Sequence, residues 1–175
     1  MNKLSLIKPF IKTDVFDQCT ITSITDDSRD VQINSLFVAR QGAGMHGKEF
    51  VKDAVKKGAS CVISDQIIHH EIDIPIYYID ELEDLITKIL FSFYNLSESD
   101  FIFFGVTGTN GKTTTAFMAH NILRELQRPS VYVGTLGAIL NDDLVETKGN
   151  TTPGIFELFK ILKDCKCQQK TYVFL

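Results

Sequence analysis

Phe101 to Thr115 reads FIFFGVTGTNGKTTT, an apolar run that passes into a glycine-rich loop and ends in a lysine followed by three threonines. The apolar run predicts a strand that delivers the chain to the loop. Gly108 and Gly111 let the backbone turn tightly, so that its N–H groups converge on an anion. Lys112 is then placed to reach the β- and γ-phosphates of a nucleotide. Thr113, directly after it, stands where such loops place a Mg²⁺ ligand, and the helix that begins here adds the positive end of its dipole. The strict spacing G-x-x-x-x-G-K-[ST] is not met, because its first glycine would fall at Val106. The match is to the variant T-G-T-N-G-K-T, in which Gly108 takes over the tight turn. The plainer alternative is a strand-to-helix turn with an exposed lysine and capping threonines. The phosphate reading is preferred because the strand before and the helix after are both legible.

That helix is predicted from Thr113 to Gln127, with Ala116, Ala119, Ile122, Leu123 and Leu126 on its apolar face and Arg128-Pro129 as its stop. His120 sits among polar neighbours and is expected at the surface. A strand from Ser130 to Thr135 is expected to pair parallel to the first across this crossover helix, and Leu136 to Val145 to form a loop and short hairpin around Asn141-Asp142. In KGNTTPG (148–154), Thr152 is expected as N-cap and Pro153 as first residue of an amphipathic helix. Asn150 and Thr151 would line the approach to that helix, a place suited to an anionic or carbonyl-bearing group. The chain closes on TYVFL (171–175), an apolar strand.

Upstream, CTITSIT (19–25) predicts a strand leaving into the acidic turn Asp26-Asp27-Ser28-Arg29, and Ser35 to Arg40 a second strand. The loop Gln41 to Gly47 holds three glycines, which permit close approach of a ligand or another backbone. A helix from about Lys48 to Lys57 stops at Gly58. Strands follow at Ala59–Ser64 and Ile74–Ile79. Asp80 is expected to cap a further helix, with Glu83 completing a capping box and Leu82, Leu85, Ile86, Ile89, Leu90 and Phe93 forming its buried stripe. The polar stretch NLSESD (95–100) separates this region from the glycine-loop strand, dividing the chain into domains 1–98 and 99–175, both α/β.

The 175 residues, 44% hydrophobic, suffice for one ordinary core or two small ones. A net charge of -4 gives no basic surface for nucleic acid, so phosphate binding has to be local. No apolar run approaches membrane-spanning length and the N-terminal MNKLSLIKPF is too short for a secretory signal, which points to the cytoplasm. Cys19, Cys61, Cys165 and Cys167 show no disulfide or zinc spacing. Cys61 reads as core, and the Cys165-x-Cys167 pair lacks a second ligand pair. His69 and His70, adjacent rather than at i, i+4, lack the geometry for sharing one ion.

Taken together, D-S-R (Asp27 to Arg29), L-F-V-A (Leu36 to Ala39), G-V-T-G-T-N-G-K-T-T-T (Gly105 to Thr115), G-T-L-G (Gly134 to Gly137) and N-T-T-P (Asn150 to Pro153) resemble the Mur ligases of peptidoglycan synthesis. Within that family the resemblance is to the branch that adds the third residue of the stem peptide. The phosphate loop alone is shared with other ATP-dependent amide ligases, and the flanking motifs narrow the choice.

The resemblance implies a small N-terminal α/β domain holding the UDP end of the substrate, followed by an incomplete P-loop-type parallel-sheet ATPase domain. It implies an ATP- and Mg²⁺-dependent ligase joining meso-diaminopimelate or L-lysine to UDP-MurNAc-L-Ala-D-Glu through an acyl-phosphate. Gly108, Thr109, Asn110, Gly111, Lys112, Thr113 and Thr114 would contact ATP, with Lys112 on its phosphates and Thr113 on Mg²⁺. Ser28 and the Ala43, Gly44, Met45 loop would bind the uridine end, and Asn150, Thr151 and Thr152 the muramoyl-peptide. No nucleic-acid or membrane partner is expected, and the chain is taken as a monomer.

Two departures accompany the resemblance. Where the family commonly has D-G-H-x-F, this chain has His46-Gly47-Lys48-Glu49-Phe50. The glutamate, serine pair and modified lysine that follow such a strand in the family, and its amino-acid-binding domain, are not among these residues. The expectation is therefore that the chain resembles only the N-terminal part of a ligase and does not ligate alone. The alternatives are a truncated remnant that binds nucleotide or UDP-sugar, or another Mur-type ligase.

Overall fold

The computed structural model describes residues 3–11, 19–42, 44–69, 72–140, 143–145, 147, 153–165 and 170–175. The chain divides into two units, Met1–Phe93 and Tyr94–Leu175. In the first, strands β1 (Ser23–Thr25), β2 (Ser35–Ala39), β3 (Ala59–Ser64) and β4 (Ile76–Tyr78) form one sheet in chain order, every pair parallel. All of β2, SLFVA, is buried, as a parallel strand covered on both faces requires. Helix α2 (Val51–Lys56), entered through a 3₁₀ turn at Gly47–Phe50, sets Val51 and Ala54 in a cluster with Phe37, Ala39 and Val62. The short α1 (Leu4–Ile7) is tied by its Leu6 carbonyl, which accepts from the Ser92 hydroxyl, to α3 (Leu82–Tyr94). Along α3, Leu82, Ile86, Ile89, Leu90 and Phe93 are buried as predicted, whereas Leu85 is only partly covered. Glu83 departs from the expected capping box. Its carboxylate oxygens accept from the Arg40 guanidinium at 2.8 and 3.1 Å, a bond charged on both sides, whereas a cap to a backbone N–H is charged on one.

The second unit contains β5 (Phe101–Phe104), α4 (Lys112–Glu125), β6 (Ser130–Gly134), β7 (Gly137–Leu140), β8 (Asp143–Val145), α5 (Ile155–Leu162) and β9 (Thr171–Phe174). Its sheet runs β5-β9-β6-β7-β8. The expectation that β6 pairs with β5 fails, because β9 lies between them, parallel to both. Residues apolar on both faces suit a central strand, and Thr171, Val173 and Phe174 are buried. An antiparallel ribbon continues the sheet from β6 through β7 to β8, so the sheet is mixed. The predicted hairpin is the β7–β8 pair, although Asn141 and Asp142 lie outside the described residues.

Two local expectations are also corrected. Helix α4 packs through Ala116 and His120, with Phe117 and Leu123 partly covered, while Ile122 and Leu126 are exposed. His120 is fully buried, its Nδ1 2.9 Å from the Ser130 hydroxyl on β6. The sheet, not the helix's own apolar sum, selects the buried face, and a histidine bonded to a strand serine fits closer to it than Ile122 does. Helix α5 begins at Ile155 with Gly154 in the N-cap place, so Pro153 precedes the helix instead of opening it. Gly154 is extended (φ -61°, ψ 157°), which delays the first turn, and Thr152 lies outside the described residues. Among the described residues no helix is long and apolar enough to cross a membrane.

Candidate functional site

The glycine loop leaves the sheet where β5 is bonded to the end of the chain: Leu175 N donates to Phe104 O at 2.9 Å and Val106 N to Leu175 O at 2.8 Å. Gly111 then adopts the left-handed conformation, φ 79°, at the N-cap position of α4, and Gly108 stands at φ 152°. Side chains resist φ 79°, and glycine accepts it. Because Gly111 has no side chain, no side-chain cap bond closes the start of α4, and its first-turn N–H groups are oriented for an anion. The Lys112 ammonium donates to the Gly108 carbonyl, drawing the cationic side chain back across the loop. Thr113 Oγ1 lies 2.8 Å from Thr135 Oγ1, tying the first turn of α4 to the segment after β6.

These groups border a cavity of about 380 Å³ whose lining includes Lys112, Thr113, Ala116, Tyr132, Gly134 and Thr135. Of the predicted loop residues, Lys112 and Thr113 line it, Gly108 anchors the lysine, and Gly111 sets the helix start. Thr109, Asn110 and Thr114 are exposed and are not among its lining residues. Tyr132, Gly134 and Thr135 received no role from the sequence. The signal available for the last two was the G-T-L-G motif; for Tyr132, inside an apolar strand, there was none.

In the first unit, the acidic turn after β1 is fixed from within. Arg29 grips the Asp27 carboxylate with Nε and Nη2 at 2.8 to 3.2 Å, its own N–H donates to Asp27 Oδ1 at 2.9 Å, and Asp30 N donates to Asp27 O at 3.0 Å. Lys57 Nζ holds the Ser28 carbonyl at 2.9 Å. Ser28 lines a cavity of about 470 Å³ together with Asp26, Asp27, Arg29 and Phe50. The sequence placed Phe50 on the apolar face of a helix and gave it no part in a site; it arrives here through the 3₁₀ turn Gly47–Phe50. That turn is capped by His46, whose Nδ1 accepts from Lys48 N at 3.0 Å while Nε2 lies 2.7 Å from Asp65 Oδ1. An accepting Nδ1 carries no proton, so Nε2–H is the donor to Asp65.

Gly42 N donates to Met45 O at 3.1 Å, and Gly47 N donates to Arg40 O at 2.8 Å. Gly44 and Met45 are exposed and do not line the Ser28 cavity. Ala43, Asn150, Thr151 and Thr152 lie outside the described residues. Cys165 is buried and its thiol donates to the Ile161 carbonyl, His69 is exposed, and Cys167 and His70 lie outside the described residues.

Residues 20–82 match the family model described as "Mur ligase family, catalytic domain", and residues 106–175 match "Mur ligase middle domain". The "UDP-N-acetylmuramoyl-L-alanyl-D-glutamate--2,6-diaminopimelate ligase" of Cytophaga hutchinsonii is 33% identical over 99% of this chain and 35% of the relative. The "UDP-N-acetylmuramyl-tripeptide synthetase 2" of Oceanobacillus iheyensis is 30% identical over 88% of this chain and 32% of the relative. The chain thus spans about a third of the length of the curated relatives it matches. Among solved structures, a UDP-N-acetylmuramoyl-L-alanyl-D-glutamate--2,6-diaminopimelate ligase superposes with TM-score 0.72 at 21% identity, over 100% of this chain and 35% of that one. The MurF ligase of Thermotoga maritima, solved in complex with ADP, superposes with TM-score 0.56 at 20% identity, over 90% of this chain and 32% of that one. At such identities the superpositions speak for the fold alone.

Proposed function

The chain belongs to the Mur ligase family, and from that premise we propose that it holds the UDP-substrate site and the nucleotide-phosphate loop of an ATP-dependent ligase of peptidoglycan-precursor synthesis. The finer reading is the ligase that joins diaminopimelate or lysine to UDP-MurNAc-L-Ala-D-Glu in the cytoplasm. Because the chain spans about a third of its relatives, ligation is proposed for the whole protein and binding for these residues.

The observation that carries the reading is the start of α4. An uncapped helix N-terminus, a left-handed glycine and a lysine drawn over the loop form a donor set without a carboxylate. That chemistry fits a magnesium-bound polyphosphate. ATP, when bound, supplies the phosphoryl group that makes a carboxylate open to attack by an amine. The residues of this chain bind and orient it. Lys112 exchanges the Gly108 carbonyl for phosphate oxygens, and the Thr113 hydroxyl exchanges Thr135 for Mg²⁺. Ser28, on its braced turn, takes the uridine end, and Asn150, Thr151 and Thr152 take the muramoyl-peptide.

Calorimetric titration of the 175-residue chain with Mg·ATP, and separately with UDP-MurNAc-L-Ala-D-Glu, tests both halves. Lys112→Ala is expected to weaken ATP at least roughly tenfold and leave the UDP-substrate unchanged. Ser28→Ala is expected to do the reverse. Absence of saturable Mg·ATP binding by the unmodified chain would sink the reading of the loop.

A further inference from the structure

Thr113 Oγ1 and Thr135 Oγ1 lie 2.8 Å apart, one on the first turn of α4 and the other just past the end of β6. Thr135 is exposed and Thr113 half-buried, so water reaches the pair and the bond between them adds little to the fold. Both residues line the cavity beside Lys112. A contact of small structural worth, placed at the wall of that cavity, calls for another use.

The backbone holds Thr135 closely. Gly134 pairs antiparallel with Gly137, which leaves Thr135 and Leu136 as the two-residue turn between β6 and β7. Gly137 takes φ 97°, and a Cβ on it would meet the Val145 carbonyl oxygen at 2.8 Å, so the turn is closed tightly against β8. A hydroxyl carried on so short a turn is a fixed point beside the start of α4. Mg²⁺ binds oxygens at about 2.0–2.1 Å in an octahedron, which sets neighbouring ligand oxygens about 2.8–3.0 Å apart. The two threonine oxygens already stand at that spacing.

We propose that Thr135 is a metal-site residue, its Oγ1 taking the position next to Thr113 Oγ1 on the Mg²⁺ that accompanies the bound nucleotide. The inference rests on reading the loop as a polyphosphate site with Thr113 on the metal, and adds to it a second protein oxygen, presented from the sheet. Hydroxyls are neutral ligands, so the pair offers the ion no charge of its own; phosphate oxygens and water complete its shell, and the ion arrives with the nucleotide. The G-T-L-G motif (Gly134 to Gly137) then has a use: its glycines shape the turn, and its threonine serves the metal.

The test puts Mn²⁺ in place of Mg²⁺ and follows the electron paramagnetic resonance of the chain's Mn·ATP complex in ¹⁷O-labelled water, where each metal-bound water broadens the lines. Thr135→Ala is expected to show one more metal-bound water than the unmodified chain, and Thr135→Ser to match the unmodified chain. In calorimetric titration with Mg·ATP, Thr135→Ala should bind roughly 3- to 10-fold more weakly, since water takes the hydroxyl's place, while its ligand-free thermal midpoint holds. An unaltered water count in Thr135→Ala, at whatever affinity, would overturn the metal role. If Thr113→Ala gains a water in the same experiment, the loop's reading stands and Thr135 is only a tie to α4. If the unmodified chain does not bind Mn·ATP, or Lys112→Ala binds it equally well, the loop reading fails and this inference with it.

Discussion

His46 and Asp65 are joined by a 2.7 Å contact between Nε2 and Oδ1, while the other ring nitrogen of His46 accepts from the Lys48 amide. One buried ring therefore ties the end of the glycine-containing loop to the segment after β3 and also starts the 3₁₀ turn that carries Phe50 to the Ser28 cavity.

The two bonds can be separated by substitution. His46→Asn retains an acceptor near Nδ1 and loses the Asp65 contact; His46→Gln retains a donor near Nε2 and loses the cap. Each is expected to cost about 1 kcal/mol, and His46→Ala about 2 kcal/mol or more, since it removes both. Urea midpoints check the ranking. If the alanine variant matches either amide variant, the ring acts through one bond only.

Arg40 holds Asp26 at 2.9 to 3.0 Å and Glu83 at 2.8 Å, so it ties the entry to the Ser28 turn to the first turn of α3. Its planar fork serves two carboxylates at once, and a lysine cannot. Arg40→Lys is expected to lose roughly 1 kcal/mol of stability, and Arg40→Met more, because Asp26 is left without its cation. On the proposed function, both should weaken UDP-substrate binding and spare Mg·ATP. Equal loss for the two ligands would show a general stability effect instead of a local one.

Gly134 is a position at which the cavity beside Lys112 has no tolerance for a side chain. A methyl group there would press on Tyr132 at 2.4 Å, and the ring is held by Phe117 and Phe174. Gly134→Ala is expected to destabilise the chain by about 1–3 kcal/mol, as overpacking does. The loss should shrink when Tyr132→Leu is made as well, a coupling read from the four denaturation curves of the cycle. Strict additivity would place the clash elsewhere.

What the sequence revealed, and what it hid, follows from how far each feature depends on distant residues. The ends of β3 at Ala59 and Ser64 match the expectation because a glycine stop and an apolar run are local signals. The glycine loop was legible for the same reason, since backbone freedom, lysine and helix start lie within a few residues. The buried face of α4 was misread because Ile122 and Leu126 satisfy the helical period while the sheet accepts His120, through Ser130, a residue after the helix. The insertion of β9 between β5 and β6 depends on a strand far along the chain. His46 was noted only as a departure from a motif, because its partner Asp65 lies beyond α2 and β3. Tyr132 looked like any other apolar-strand aromatic, and only the structure shows its ring seated against Gly134.

Cys61 gives a prediction in pH. It is buried on β3, and burial, with a smaller contribution from nearby Cys19, pushes its thiol up to about 12. The folded protein therefore keeps this proton where the unfolded chain has released it. Stability from this group is complete below the ordinary thiol range near ~8.5 and is lost as pH rises toward the folded value. Between about pH 9 and 10 the thiol alone should cost up to about 1.4 kcal/mol per pH unit. Above the ordinary tyrosine range Tyr94 adds to the slope, its phenol pushed up to about 12 by burial and by Asp164. Cys61→Ala is expected to start less stable, because it leaves a small cavity, and to decline less steeply over that first interval. Urea denaturation at half-unit pH steps compares the slopes, and parallel curves for the two proteins would show that Cys61 does not carry the alkaline loss.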